Sequence, residues 1–154
     1  MIICLATTDA DLDAVRRLFR AYAASLAFDL DFQDFAAELD ALPGPYAAPG
    51  GCILLAKTKS EPVGVIAVQP LGGGDVCEMK RLYVRPDHRR QGIARALAER
   101  LLKEARDRGY TTMRLDTVAS MTAARSLYQS LGFEERDAYY PNPLPDVVYM
   151  ERDL

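Results

Sequence analysis

Apolar positions along the chain follow two rhythms, a three-to-four-residue helical spacing and short runs of strand type, and the two alternate from end to end. Ile2 to Ala6 reads as a first strand, and Leu12, Val15, Leu18, Phe19 and Tyr22 then recur on one face of a helix that Asp9 or Asp11 can cap and that lasts to about Leu26. Phe32, Phe35, Ala36 and Leu39 give a shorter helix, ended by Pro43-Gly44-Pro45 in a loop that closes at Pro49-Gly50-Gly51. Ile53 to Lys57 and Val63 to Val68 form a hairpin across a polar turn at Ser60-Glu61-Pro62, and Gly72-Gly73-Gly74 makes the next turn. Glu78 to Val84 is a fourth strand, whose alternation predicts Glu78, Lys80, Leu82 and Val84 on one face. Ile93, Leu97, Leu101 and Ala105 line a long helix that Gly109 ends. A strand through Met113, Leu115, Thr117 and Val118 follows. The last pieces are a helix carrying Ala123, Ala124, Leu127 and Leu131 that stops at Gly132, a strand starting at Phe133, and a strand from Val147 to Met150.

This order predicts one mixed α/β domain over the whole 154 residues, with no linker, repeat or low-complexity tract. The net charge of −3 argues against nucleic acid as the main partner. Cys4, Cys52 and Cys77 have no Cys-x-x-Cys spacing, and the chain has a single histidine, so neither a disulfide framework nor a metal site is expected. Without a basic leader or an apolar run near the roughly 18 residues of a membrane span, a cytoplasmic protein that avoids membranes is expected.

Charge changes the picture at one place. Arg85, His88, Arg89 and Arg90 crowd the start of the long helix, where Gln91, Gly92, Ile93, Ala94 and Arg95 follow. A helix N-terminus already carries about half a positive charge and unpaired N–H groups, so the cluster is unfavourable unless an anion sits there. A pyrophosphate suits it, with Gly92 allowing close backbone approach. No Gly-Lys-Ser/Thr follows, which excludes a nucleoside-triphosphatase loop.

The strand Glu78-Met79-Lys80-Arg81-Leu82-Tyr83-Val84, the Arg89-x-x-Gly92-x-Ala94 turn and the later Leu127-Tyr128-x-x-Leu131-Gly132-Phe133 together resemble the GCN5-related N-acetyltransferase (GNAT) superfamily over about residues 53–153. The resemblance implies an α+β fold with a mostly antiparallel, centrally splayed sheet flanked by helices. It implies acetyl-CoA as co-substrate, its pyrophosphate on Arg89, Arg90, Gln91, Gly92, Ile93, Ala94 and Arg95. It also implies main-chain groups of Leu82, Tyr83 and Val84 along the pantetheine arm, with the Val84 N–H as donor to the thioester carbonyl. Residues 1–50 correspond to the variable wall on the acceptor side, where Tyr22 and Phe32 are candidates, and a homodimer is a family-level expectation.

The chemistry sets three needs. An alkylamine is mostly protonated at neutral pH, so a base must take its proton; Glu78, fourteen positions before Gly92, matches the family's general-base glutamate and would act directly or through a water. The plainer reading of Glu78 is a strand carboxylate balancing Lys80 or Arg81. The departing thiolate needs a proton, for which Tyr128 occupies the family's tyrosine position; otherwise it is one of eight tyrosines packing a surface helix. Where many relatives carry a cofactor-bonding asparagine this chain has Met121, and Ser120 or Thr122 is a candidate cap.

The segment Tyr139-Tyr140-Pro141-Asn142-Pro143-Leu144-Pro145-Asp146 is stiffened by prolines, and Tyr140 and Asn142 are candidates to orient an acceptor. The expected function is N-acetylation of a primary amine, on a small molecule, in a ternary complex. The alternatives are a non-catalytic acyl-CoA sensor, a protein lysine or N-terminal acetyltransferase, and an interaction protein whose basic patch meets an acidic partner.

Overall fold

A computed structural model describes residues 1–30 and 34–154. Its described strands are β1 (Ile2–Leu5), β2 (Cys52–Thr58), β3 (Glu61–Pro70), β4 (Val76–Val84), β5 (Thr112–Val118), β6 (Glu134–Arg136) and β7 (Val147–Asp153). The described helices are α1 (Asp9–Ser25), α2 (Phe35–Ala41), α3 (Ile93–Asp107) and α4 (Thr122–Ser130). All seven strands join one sheet in the order β1-β2-β3-β4-β5-β7-β6. Every neighbouring pair is antiparallel except β4 with β5.

Helices cover both faces, which is why β2 and β3 read as almost unbroken apolar runs. On one face Val15, Leu18 and Phe19 of α1 and Leu39 of α2 pack on Ile53, Leu55, Val65 and Ala67. On the other, Ile93, Leu97, Leu101 and Ala105 of α3 and Tyr128 of α4 pack on Leu54, Ile66, Met79 and Met113. Helix α3 comes close enough to β3 that a Cβ on Gly64 would stand 3.0 Å from Leu97 Cδ1 and 3.3 Å from Ile93 Cγ2, so a side chain there would force these neighbours to shift.

Local chemistry explains where several boundaries differ from the sequence reading. The cap of α1 is Thr8, not Asp9 or Asp11: its hydroxyl accepts the Asp11 N–H at 3.1 Å, and the Asp11 carboxylate accepts the Thr8 N–H at 3.4 Å, a reciprocal box. Helix α4 begins after Met121 without a side-chain cap, so neither Ser120 nor Thr122 serves. Glu61 and Pro62 belong to β3, and the hairpin turn is the pair Lys59-Ser60, with φ of 50° and 67°. Two left-handed residues match the twist of a two-residue hairpin, and Pro62 is tolerated because the β2–β3 register slips at Ala56/Lys57.

Two features of β4 build the functional region. Between the pairs Val65↔Tyr83 and Ala67↔Lys80, Ile66 of β3 stands opposite both Arg81 and Leu82 of β4, with Arg81 at φ 63°, so β4 carries a one-residue bulge. The bulge corrects the expected alternation: Met79, Leu82 and Val84 turn to α3, whereas Glu78, before it, no longer shares the face of Leu82 and Val84. The second feature is a central splay. Strands β4 and β5 pair only at Val76↔Thr112, Cys77↔Met113 and Glu78↔Arg114, then part.

Candidate active site

The parting of β4 from β5 opens a cleft of about 830 Å³. One wall is Leu82, Tyr83 and Val84; the opposite wall is Leu115, Asp116, Thr117 and Val118 of β5. The Arg85 N–H bonds to Val63 O on β3 at 2.8 Å, so alternation turns the main chain of Val84 away from β3 and into the splay. The Val84 carbonyl accordingly accepts Arg89 Nε at 3.0 Å rather than a strand neighbour.

At one end of the cleft stands the turn before α3. Arg90 at φ 62° and Gly92 at φ 78° give it two left-handed residues, and Gly92 is the α3 N-cap with no side-chain bond. No acidic residue lies in the first turn of α3, leaving its N–H groups for an anion. Nothing lies within 4 Å of where a Gly92 Cβ would be, so the backbone is open to a ligand at that point. Arg89, Arg90, Gly92, Ile93, Ala94 and Arg95 all line the cleft, as do His88 and the β4 residues; Gln91 is exposed and does not. These features fit a diphosphate and an extended arm with hydrogen-bonding groups, the chemistry of coenzyme A.

Tyr128 lies at the middle. Helix α4 brings it over the splay, its ring edge-on to Phe133 at 6.0 Å. Burial raises the phenol above its ordinary pKa, with Tyr22 and Asp116 adding to the effect, so it stays protonated and able to donate. Met121, also lining the cleft, has its sulfur 3.7 Å from Thr117 Oγ1 and offers no amide there.

The far end is polar and aromatic. Tyr22 of α1 and Asn142 line it; Phe32 lies outside the described residues. Glu78 is buried beside the cleft but does not line it: Oε1 accepts Gln69 Nε2 at 2.7 Å and Oε2 accepts the Tyr139 hydroxyl at 2.6 Å. Tyr140 also sits behind the lining, donating its hydroxyl to Asp116 Oδ2. Tyr139, Tyr140 and Tyr149 pack edge to face with centroids 5.2 to 5.5 Å apart. Arg114 and Arg136 lie over the Tyr139 ring at 5.4 and 5.7 Å, and both pair with Glu151 at 2.7 Å.

Asp116 and Gln69 escaped the sequence reading, and Tyr139 entered it only as part of the proline-stiffened segment. The available signals were one carboxylate inside the apolar pattern of β5 and the Tyr139-Tyr140 doublet itself; nothing local pointed to Gln69.

None of the free cysteines lines the cleft, and burial pushes the thiols of Cys52 up to about 11 and of Cys77 up to about 12. Such groups are poor nucleophiles. Among the described residues no group of His, Cys, Asp and Glu converges to hold a metal, and no helix is long and apolar enough to cross a membrane.

The chain is 38% identical over 145 residues to an uncharacterised N-acetyltransferase of Schizosaccharomyces pombe, covering 94% of this chain and 89% of the relative. A crystal structure from Klebsiella pneumoniae, assigned as an acyl-CoA N-acyltransferase, superposes with a TM-score of 0.77 at 31% identity over 99% of this chain and 97% of that one. The fold is also that of the PaiA N-acetyltransferase from Thermoplasma acidophilum in complex with coenzyme A, with a TM-score of 0.76, 19% identity and full coverage of both chains. The profile of the acetyltransferase (GNAT) family matches residues 12–133, so the chain belongs to that family and is an acetyl-CoA-dependent N-acetyltransferase.

Proposed function

We propose that the protein acetylates a primary amine on a small molecule, by direct attack with both substrates bound. The observation that carries this reading is the two-ended cleft. A cationic, amide-rich turn stands at one end and carboxylate, phenol and amide groups at the other, with the unpaired strand edges between them. Acetyl-CoA supplies an activated acetyl group as a thioester. In this reading Arg89, Arg90 and the amides after Gly92 hold its diphosphate. The main chain of residues 82–84 aligns the arm, and the Val84 N–H donates to the thioester carbonyl oxygen. Tyr128 gives its phenolic proton to the departing sulfur. Glu78, with both oxygens occupied, contributes at one remove by fixing Tyr139.

A compact acceptor suits the enclosure. Leu26, Phe28 and Leu30 close the cleft from the first fifty residues, and Asn142, Leu144 and Val147 close it from the loop before β7. The reading places the protein in the cytoplasm, where three unpaired thiols persist, and it includes a homodimer as a family-level trait. The test is free-thiol release from acetyl-CoA with alkylamines, aminosugars and amino acids, set beside lysine-bearing and free-N-terminal peptides. Turnover concentrated on the small amines supports the reading, turnover confined to the peptides makes it a protein acetyltransferase, and coenzyme A binding with no turnover makes it a sensor.

A further inference from the structure

Past the last β4–β5 rung, Glu78↔Arg114, the next residue of β5 on the Arg114 face is Asp116, and it is the carboxylate that lines the cleft. Its neighbours Leu115 and Thr117 turn to the buried face. The two carboxylates of this region are held differently. Glu78 has both oxygens bonded, to Gln69 and Tyr139. Asp116 is gripped by one oxygen only: Oδ2 accepts the Tyr140 hydroxyl and faces Asn142 Nδ2 at 3.4 Å, while Oδ1 accepts no hydrogen bond among the described residues.

The grip on Oδ2 is itself braced. Asn142 Nδ2 donates to the Tyr140 oxygen at 2.9 Å, and Asn142 Oδ1 accepts the Leu144 N–H at 2.9 Å. Tyr140 O in turn accepts the Tyr149 hydroxyl at 3.0 Å. The prolines at 141, 143 and 145 stiffen the same stretch. A cleft-lining carboxylate so fixed by one oxygen, with the other unbonded among the described residues, is arranged to meet a donor.

Five phenols lie within electrostatic reach of Asp116: Tyr22 of α1, Tyr128 of α4, Tyr139 and Tyr140 of the loop, and Tyr149 of β7. Its negative charge opposes ionisation of all five, including the proposed sulfur-side donor, Tyr128. The nearby Arg81 guanidinium is committed to Glu38 at 2.9 and 3.0 Å.

We propose that Asp116 Oδ1 binds the acceptor ammonium and takes its proton, that Tyr140 and Asn142 are the positioning residues that aim it, and that Glu78 serves the site only through Tyr139. This rests on the amine-acceptor reading above. Asp116 removes one proton from the ammonium and later releases it to solvent. The freed nitrogen pair forms the C–N bond as the C–S bond breaks, and the second proton lost by nitrogen replaces the one that Tyr128 gives to sulfur. The acceptor is thus a cationic primary amine whose charge is met by Asp116 among phenols.

The experiment uses the full chain as wild type and as Asp116→Asn, Asp116→Glu, Tyr140→Phe and Glu78→Gln. Acetylation of alkylamines and aminosugars gives kcat and KM, and calorimetry gives coenzyme A affinity. D116N should lower kcat about 100-fold with coenzyme A affinity unchanged, D116E should recover part of it, and E78Q should remain well above D116N. Y140F, which keeps the carboxylate and loses its holder, should lower kcat more than it raises KM. Wild-type turnover with D116N equally active overturns the inference alone, as does E78Q being the inactive variant. Absence of wild-type turnover on every amine, with coenzyme A still bound, overturns the amine reading and the inference with it.

Discussion

Arg81 and Glu38 close a two-pronged ion pair, Nε to Oε2 at 3.0 Å and Nη2 to Oε1 at 2.9 Å, that ties the bulge of β4 to helix α2. The Arg81 side chain is 3% exposed and its guanidinium lies 5.2 Å from the centre of the Phe35 ring. Removing one partner strands a buried charge. Glu38→Ala should therefore destabilise the fold by about 3–5 kcal/mol in urea unfolding, and pairing Glu38→Leu with Arg81→Met should restore most of the loss.

Gly92 tests the cofactor turn. Space for a methyl exists, but φ of 78° does not suit an L-residue. Gly92→Ala should cost about 1–2 kcal/mol of stability. The methyl would also stand where backbone meets ligand, so calorimetry should show coenzyme A affinity falling by about tenfold. Affinity equal to wild type would remove the turn from the site.

Tyr128→Phe keeps the ring that packs on Phe133 and deletes only the hydroxyl. Acetylation should slow about 100-fold with little change in thermal stability. Because burial raises this phenol, the pH–rate profile of the wild type should show no loss of activity from its ionisation below about pH 10.

Glu151 sets an acid limit. Arg114, and with it Arg136, hold its carboxyl below the ordinary value of 4.5 against the opposing effect of burial. A depressed folded pKa gives stability that is fully present above the unfolded value and is lost as pH falls through the folded one. Wild type should thus exceed Glu151→Gln in stability near neutral pH and lose that advantage as acidification carries the pH through the depressed folded value, as read by urea unfolding.

How much of this was legible in advance divides by range. The stripe of Ile93, Leu97, Leu101 and Ala105 and the turn at Gly92 depend on neighbours within a few positions, so periodicity and backbone permissiveness reveal them. The capping box hid behind two aspartates because Thr8 and Asp11 each serve the other, and the better-known cap residue took the third helical position. The Lys59-Ser60 turn lacks the Asn-Gly that advertises such a hairpin. The bulge is set by how β4 meets β3, and a period-two reading carried across it sends every later side chain to the wrong face. Glu78 matches the family's general base by position, but its partners come from Gln69 and from Tyr139, 61 positions away, and no local pattern encodes that meeting. A gap of 24 positions likewise conceals Asp116, which becomes conspicuous only when Tyr140 folds back on it.

The three-rung junction of β4 and β5 has a thermodynamic corollary. Mechanically the protein is two ribbons stitched briefly at their midline, and a ligand lying in the gap acts as a splint between them. Occupancy by coenzyme A should then lift the melting temperature with the logarithm of its concentration, and hydrogen–deuterium exchange should slow on both lips of the seam, at residues 79–84 and 115–118 together.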